Sequence, residues 1–152
     1  MNVAYVNPFI HSTITCFKTM IFVDITPGQP QLKKDPPPKY DISGVIGLSG
    51  DAQGAISLCF PENVALKAVS SMIGIEITKP GPDLSDAIGE IANIIAGFAK
   101  RDLDGLNLSI SLPNIVIGSH VLTGQSGAPT IIVPFSSALG PFTMEVSLKT
   151  KK

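Results

Sequence analysis

The chain has 152 residues, a length that fits one domain with a substantial core. Hydrophobic residues make up 44% of it and charged residues 15%, which excludes an intrinsically disordered chain. The formal net charge is −1 and the basic residues are scattered, so the sequence argues against nucleic-acid binding. We therefore expect residues 1–152 to form a single globular domain.

The two cysteines, Cys16 and Cys59, lie in separate apolar runs without histidine neighbours. They are predicted to be buried, reduced thiols, as is typical of a reducing compartment. No segment is apolar for long enough to span a membrane, and the first residues lack the basic start and continuous apolar run of a signal peptide. We therefore expect a cytoplasmic protein that does not associate with membranes.

The first predicted element is a helix from about Pro8 to Met20. Asn7 is suited to the N-cap and Pro8 to the first helical position, where a missing N–H costs nothing. Segment 22–40 follows without a single predicted structure. Its prolines at positions 27 and 30 restrict any strand there to an edge strand or an interrupted one.

A β-hairpin and a second helix are predicted next. Strand-like residues 42–48 lead into the glycine-containing loop 49–54, and residues 55–60 lead out of it. This loop lacks the lysine and the following helix of a phosphate-binding loop, so it is interpreted as a hairpin turn. The second helix is predicted to begin at Pro61-Glu62 and to end at Gly74.

A long helix from Asp83 to Arg101 is the clearest element of the sequence. One stripe of apolar residues recurs along it at helical spacing and is predicted to face the core. The residues of this stripe are Leu84, Ile88, Ile91, Ile95 and Phe98.

Three strands are predicted after the long helix, within residues 108–117, 130–135 and 142–149. In the first, alternation places Leu112 on the inward side with Leu108 and Ile110. In the second, Pro134 requires an edge position or a bulge. In the third, alternation places Glu145 and Ser147 on the outward side. The whole order predicts an α+β fold in which helices cover an antiparallel or mixed sheet, in a pseudo-duplicated layout.

The sequence lacks the usual constellations of catalytic or metal-binding residues. His11 and His120 stand alone, and no acidic residues group with them at ligand spacing. There is no nucleophile elbow, paired-cysteine redox motif, dinucleotide fingerprint or Walker motif. If the protein is an enzyme, its chemistry needs few groups of its own and no cofactor bound by this chain.

The face of the long helix opposite the apolar stripe carries Asp86, Glu90, Asn93 and Gly97, at i, i+4, i+7 and i+11. An ordinary solvated face, with Asp86 favouring the positive helix end, is one explanation. Against it, like charges at i and i+4 cost about 0.2–0.5 kcal/mol. Asn93 is also a poor helix former.

The second explanation is a surface for a macromolecular partner. No cation stands three or four residues from Glu90, and the helix contains Gly89 and Gly97, each costing up to about 1 kcal/mol relative to Ala. Small residues beside a carboxylate and an amide leave a low-relief surface. The carboxylate can pair with a lysine, and the amide can hold a water by donating and accepting at once. On a partner with a labile phosphoryl group and its own metal ion, positioning that water is most of what catalysis requires.

The pattern Asp86-x-x-x-Glu90-x-x-Asn93 on a long helix, followed by Pro113, resembles the signature of the CheC/CheX/FliY chemotaxis phosphatases. The order of helices and strands over nearly the whole chain is also similar to that family. The first helix has no Glu-x-x-Asn, and a single copy is similar to the CheX branch. Pro113 lies closer to Asn93 than the family pattern leads us to expect, which leaves its equivalence open.

The resemblance implies a phosphatase that hydrolyses the aspartyl phosphate of a CheY-like receiver domain. It implies that Glu90 pairs with the receiver's active-site lysine and that Asn93 orients the attacking water. Asp86, Gly89 and Gly97 are then partner contacts, and Mg²⁺ belongs to the receiver. It also implies a homodimer formed through a sheet edge. The alternatives are a non-catalytic receiver-binding module and a structural component similar to those of the flagellar switch.

Overall fold

The computed structural model describes residues 3–103, 105–123 and 128–150. A short 3₁₀ turn (Val3–Tyr5) leads into the first helix, and a π-helical turn (Phe17–Ile21) follows that helix. The α-helices are α1 (Val6–Cys16), α2 (Glu62–Ile73) and α3 (Pro82–Asp102). The strands are β1 (Ile25–Pro27), β2 (Gln31–Leu32), β3 (Tyr40–Gly50), β4 (Ala52–Phe60), β5 (Leu108–Ile110), β6 (Asn114–His120), β7 (Thr130–Ser137) and β8 (Phe142–Thr150).

The strands form one antiparallel sheet in the order β1-β7-β8-β4-β3-β5, with β2 also paired to β7 and β6 also paired to β3. The short strands β1 and β2 thus share one outer position, and β5 and β6 share the other. Each pair lies against a long strand from the opposite half of the chain. This exchange gives the sheet an approximate two-fold layout and confirms the predicted α+β, pseudo-duplicated architecture.

Helix α3 lies over the sheet with its apolar stripe in the core. Leu84, Ile88, Ile91 and Ile95 have no exposed surface, whereas Phe98 at the end of the stripe is half-buried. A Cβ placed on Gly44 of β3 would stand 3.0 Å from Ile88 Cγ2, so the helix approaches the strand closely there. Burying each such side chain contributes roughly 1.5–3 kcal/mol, and together they fix the rotation of the helix about its axis.

The predicted start of α1 is wrong. Asn7 lies inside the helix, and Tyr5 occupies the N-cap without a side-chain hydrogen bond to the helix. The 3₁₀ turn before it and the buried Val6 extend the helical segment toward the N-terminus, so a polar cap is not needed at Asn7.

The strand predicted over residues 108–117 is two strands, β5 and β6. Opposite residues 46–47 of β3 stand the three residues 111–113, one more than regular pairing allows. The interruption coincides with Pro113, which has no N–H to donate to the ladder. The prediction that Leu112 faces inward is therefore wrong: its side chain is 84% exposed.

Strand β7 is also placed differently from the prediction. It has neighbours on both sides, so Pro134 does not lie at an edge; the predicted irregularity is present in the neighbouring segment, where residues 28–30 stand opposite residues 133–134, one more than regular pairing allows. Pro134 instead faces the gap between β1 and β2, where Gly28 N–H donates to its carbonyl oxygen at 2.6 Å. The missing N–H of the proline falls where the neighbouring strand is interrupted.

The face of β8 predicted to point to solvent is partly buried. Glu145 accepts hydrogen bonds from Lys33 Nζ at 2.9 Å and from the Tyr40 hydroxyl at 2.7 Å. Burial, followed by this hydrogen bond, raises the pKa of Tyr40. The segment after β2 thus brings a cation onto a sheet face that alternation predicts to be exposed.

Cys16 and Cys59 are both buried and unpaired, as predicted. Among the described residues, no helix combines the length and the apolar character needed to cross a membrane.

A polar face on helix α3 as the candidate functional site

Helix α3 begins with Pro82 at its first position, preceded by Gly81 in an extended conformation. It ends at Asp102, with Lys100 and Arg101 in the last turn, where positive charge favours the helix dipole. The bounds agree within one residue with the predicted helix from Asp83 to Arg101. The apolar stripe is buried, and the predicted polar face therefore points away from the sheet.

Asp86 and Glu90 are exposed on this face, and Asn93 is half-buried. None of these three side chains has a hydrogen-bond or salt-bridge partner in the described part of the chain. Gly97 lies one turn further, and a Cβ placed on it would have no described atom within 4 Å apart from the adjoining backbone of the helix. The helix thus offers a carboxylate and an amide one turn apart, beside open space.

Gly89 was predicted to contact a partner, but in the structure it does not lie on the exposed face of the helix. It is buried, and a Cβ added to it would stand 3.2 Å from Pro113 Cγ and 3.6 Å from Ile115 Cδ1. The glycine lets the proline ring lie directly against the helix, next to Glu90. Gly89 therefore shapes the border of the polar face from within the chain, whereas Gly97 lies on the open side of it.

Helix α1 brings Cys16 close to Glu90. Burial raises the pKa of the Cys16 thiol to about 12, and the negative charge of Glu90 contributes to the rise. The thiol therefore stays protonated near neutral pH. This neighbour of Glu90 was not predicted from the sequence. The apolar periodicity of a helix shows which of its faces is buried but does not show which other helix packs against it.

No group of three or more His, Cys, Asp or Glu side chains suited to a metal ion occurs within the ranges that the structure describes. Both ring nitrogens of His120 have partners: Nδ1 lies 2.6 Å from the Gly118 carbonyl oxygen and Nε2 lies 2.8 Å from Ser43 Oγ. The tautomer that fits both contacts donates from Nδ1 and accepts at Nε2 from the Ser43 hydroxyl. His120 thus joins β6 to β3.

The sequence also failed to indicate the loop that borders the polar face. Ser111 N–H donates to Gly47 O at 2.9 Å, and Gly47 N–H donates to Ser111 Oγ at 2.8 Å. These bonds hold the segment between β5 and β6 in place. The one available signal was Pro113 inside an otherwise strand-like run.

The fold and this face together define an α+β domain of the chemotaxis-phosphatase class. A family model described as chemotaxis phosphatase CheX matches residues 42–136, more than half of the chain, and includes Glu90, Asn93 and Pro113. The chain therefore belongs to the chemotaxis phosphatase CheX family, a family of hydrolases, and the predicted resemblance is confirmed.

Individual relatives agree with the family match. The CheY-P phosphatase CheX of Thermotoga maritima is 28% identical over 121 residues, which cover 78% of each chain. The crystal structure of the chemotaxis protein CheX from Desulfovibrio desulfuricans superposes with a TM-score of 0.90 at 32% identity, covering 96% of this chain and 99% of that one.

A second solved structure is a complex of CheX with CheY, BeF3 and Mg²⁺ from Borrelia burgdorferi. It has a TM-score of 0.84 at 24% identity, over 95% of this chain and 97% of the matched chain. At that identity the likeness concerns the fold alone.

Proposed function

We propose that this protein hydrolyses the aspartyl phosphate of a CheY-like receiver domain by presenting Glu90 and Asn93 to the receiver's active site. The observation that carries the proposal is that the two side chains stand one helical turn apart, without partners among the described residues, on a helix whose opposite stripe is buried from Leu84 to Ile95. The proposal is supported by the family match and by the relative named as a CheY-P phosphatase, and the chain shares its fold with a CheX solved in complex with CheY.

Glu90 sets the register of the two proteins by pairing with the receiver's active-site lysine. Its carboxylate is exposed and has no salt bridge in the described ranges, so it approaches a lysine without first breaking one. A charge-assisted hydrogen bond of this kind is about twice as strong as a neutral one. Glu90 thus contributes mainly to binding and orientation.

Asn93 orients the attacking water beside the phosphoryl group. Its amide is half-buried on the helix, so its position is more restricted than that of a side chain in open solvent. The amide oxygen accepts a hydrogen bond from the water, and the amide N–H₂ donates to a phosphoryl oxygen. The water then attacks phosphorus in line with the aspartate oxygen that leaves, and phosphate and free carboxylate result.

The receiver supplies the metal ion in this proposal. Its Mg²⁺ neutralises charge on the phosphoryl oxygens, and this chain contributes position rather than charge neutralisation. Asp86, exposed one turn before Glu90, and Gly97, one turn after Asn93, contact the receiver on either side. Gly89 acts indirectly through its contact with Pro113. Such a substrate implies a cytoplasmic location.

A homodimer formed through the sheet edge is part of the proposal. Strand β6 lies at the outer position next to β3, and Ile117 on it is 45% exposed. An open edge with an exposed isoleucine is suited to pairing with a second copy. Sedimentation or gel filtration tests this point, and a monomer mass at micromolar concentration would count against it.

The central experiment measures decay of a phosphorylated receiver with and without the protein. We expect wild type to accelerate the decay and Asn93→Ala to lose at least about 100-fold in kcat, as is usual when a positioning group for the attacking water is removed. Asn63→Ala is the matched control, because Asn63 is an exposed asparagine on α2. If the wild-type protein does not change the decay rate of its cognate phosphorylated receiver, the proposed phosphatase function is wrong.

Glu90 variants separate binding from chemistry. Glu90→Lys places a cation against the receiver's lysine, and we expect it to abolish binding, while Asn93→Ala retains binding. Glu76→Lys, at an exposed position outside α3, is the control. If the protein binds the receiver without accelerating its dephosphorylation, it is a receiver-binding module rather than an enzyme.

A further inference from the structure

Leu112 is the most exposed of the large hydrophobic side chains found on the described surface, at 84%. Single exposed leucines are common and need no explanation by themselves. Leu112 lies in the segment between β5 and β6, at a position where continued strand alternation would have buried it. The one-residue bulge turns the side chain outward, and such departures from local rules are often found at functional sites.

The backbone around Leu112 is held firmly although its side chain is exposed. On one side, Ser111 exchanges hydrogen bonds with the backbone of Gly47 at 2.9 and 2.8 Å. The Ser111 hydroxyl also donates to the Leu112 carbonyl oxygen at 2.8 Å. On the other side, Pro113 packs against Gly89 of α3. Because the backbone is already held in place, covering this side chain costs only the freedom of its own rotamers.

The same contacts place Leu112 beside the polar face. Pro113 follows Leu112 in the chain, and its ring lies against Gly89, the residue before Glu90. A receiver domain that reaches Glu90 and Asn93 therefore passes the loop that carries Leu112. The polar part on the helix and the apolar part on the loop therefore both adjoin the contact between Gly89 and Pro113.

We infer that Leu112 is a docking contact that packs against an apolar side chain of the receiver next to its phosphorylation site. The inference rests on the proposed function. The ion pair proposed for Glu90 fixes the register of the two proteins, and its contribution to affinity falls as salt screens it. Burying a leucine supplies affinity that does not depend on salt. Leu112 touches no reacting atom, so it acts on binding and leaves the chemical step unchanged.

The test compares Leu112→Ala, Leu112→Met and Ile75→Ala. Ile75 is 67% exposed between α2 and α3, and its variant controls for loss of an exposed aliphatic side chain elsewhere. We expect Leu112→Ala to raise KM for the phosphorylated receiver about tenfold, equal to about 1.4 kcal/mol. We expect kcat to be unchanged, Leu112→Met to retain most of the affinity, and Ile75→Ala to behave as wild type.

Binding is measured in parallel with a receiver loaded with beryllofluoride and Mg²⁺, by fluorescence anisotropy. If wild type accelerates decay but Leu112→Ala leaves both KM and Kd unchanged, the docking inference is wrong and the proposed function stands. If wild type binds without accelerating decay and Leu112→Ala weakens binding tenfold, the docking contact stands and the phosphatase function is wrong. A change in oligomeric mass with unchanged Kd would assign Leu112 to a second copy of this chain and overturn the inference.

Discussion

The ring of Pro113 occupies the space that a side chain on Gly89 would need, because a Cβ there would stand 3.2 Å from Pro113 Cγ. At Gly97, two turns along the same helix, no described atom apart from the adjoining backbone of the helix lies within 4 Å of the equivalent point. Two glycines that look alike in the sequence therefore do different work. Gly89 allows Pro113 to pack against the helix, whereas Gly97 keeps the outer face of the helix free of a protruding side chain.

This difference predicts opposite effects of one substitution. Gly89→Val is expected to lower the free energy of unfolding by about 1–3 kcal/mol more than Gly97→Val, because its added methyl groups overlap the proline. Gly97→Val should lower phosphatase activity with little loss of stability, because the added side chain protrudes from the face that the receiver is proposed to approach. Urea denaturation and receiver dephosphorylation measure the two effects, and equal stability of the variants would contradict the assignment.

The buried stripe of α3 carries the second prediction. Ile88 has no exposed surface and lies over Gly44, so Ile88→Ala should lower the free energy of unfolding by about 2–5 kcal/mol. Ile75→Ala, at an exposed position, should change it by less than about 0.5 kcal/mol. A loss below about 1 kcal/mol for Ile88→Ala would show that the helix does not depend on this contact.

The third prediction concerns Lys33 and Glu145. Lys33→Met leaves the buried Glu145 carboxylate with Tyr40 alone, which should cost about 3 kcal/mol. Lys34→Met changes an exposed neighbour of the same type and should cost less than about 0.5 kcal/mol. Adding Glu145→Gln to Lys33→Met should recover part of the loss, and chemical denaturation of the three variants checks it. Equal losses for Lys33→Met and Lys34→Met would exclude a structural ion pair.

The fourth prediction is an alkaline loss of stability. In the unfolded chain the Cys16 thiol ionises above its ordinary pKa of 9.0, while in the folded chain burial raises that pKa to about 12. Between these values the folded state binds more protons, so the free energy of unfolding falls as pH rises, by up to about 1.4 kcal/mol per pH unit for one group.

Cys16→Ala should make this fall less steep between pH 9 and 12. Its cavity adds a constant loss that is already present at pH 8, so the slope rather than the absolute stability is compared. Urea denaturation across the pH series measures it. Identical slopes for variant and wild type would mean that Cys16 is not protonated in the folded state over that range.

The polar face could be predicted from the sequence because helical periodicity is a local property. Asp86, Glu90 and Asn93 share a face wherever the helix packs, and the continuous apolar stripe of a helix of this length fixes its rotation about its axis. What periodicity could not indicate was the surroundings of that face. The contact of Gly89 with Pro113, and the electrostatic effect of Glu90 on Cys16, join segments far apart in the chain.

The strand predictions failed where pairing rather than pattern decides which face a residue takes. Leu112 alternates correctly with Leu108 and Ile110, but one extra residue opposite β3 reverses the alternation. Glu145 lies on the face predicted to be outward, yet Lys33 and Tyr40 cover it. In both cases the exposure of the side chain depends on a neighbouring segment, and the strand's own sequence pattern contains no information about that segment.

The exchange of outer strands between the two halves has a consequence for how the polar face can move. β1 pairs with β7 across more than a hundred residues of chain, and β5 and β6 pair with β3, so neither half has a complete sheet alone. Loosening one half removes pairing partners from the other, and opening becomes cooperative over the whole domain. We therefore expect the sheet that supports helix α3, and with it the platform under Glu90 and Asn93, to open as one unit rather than half by half.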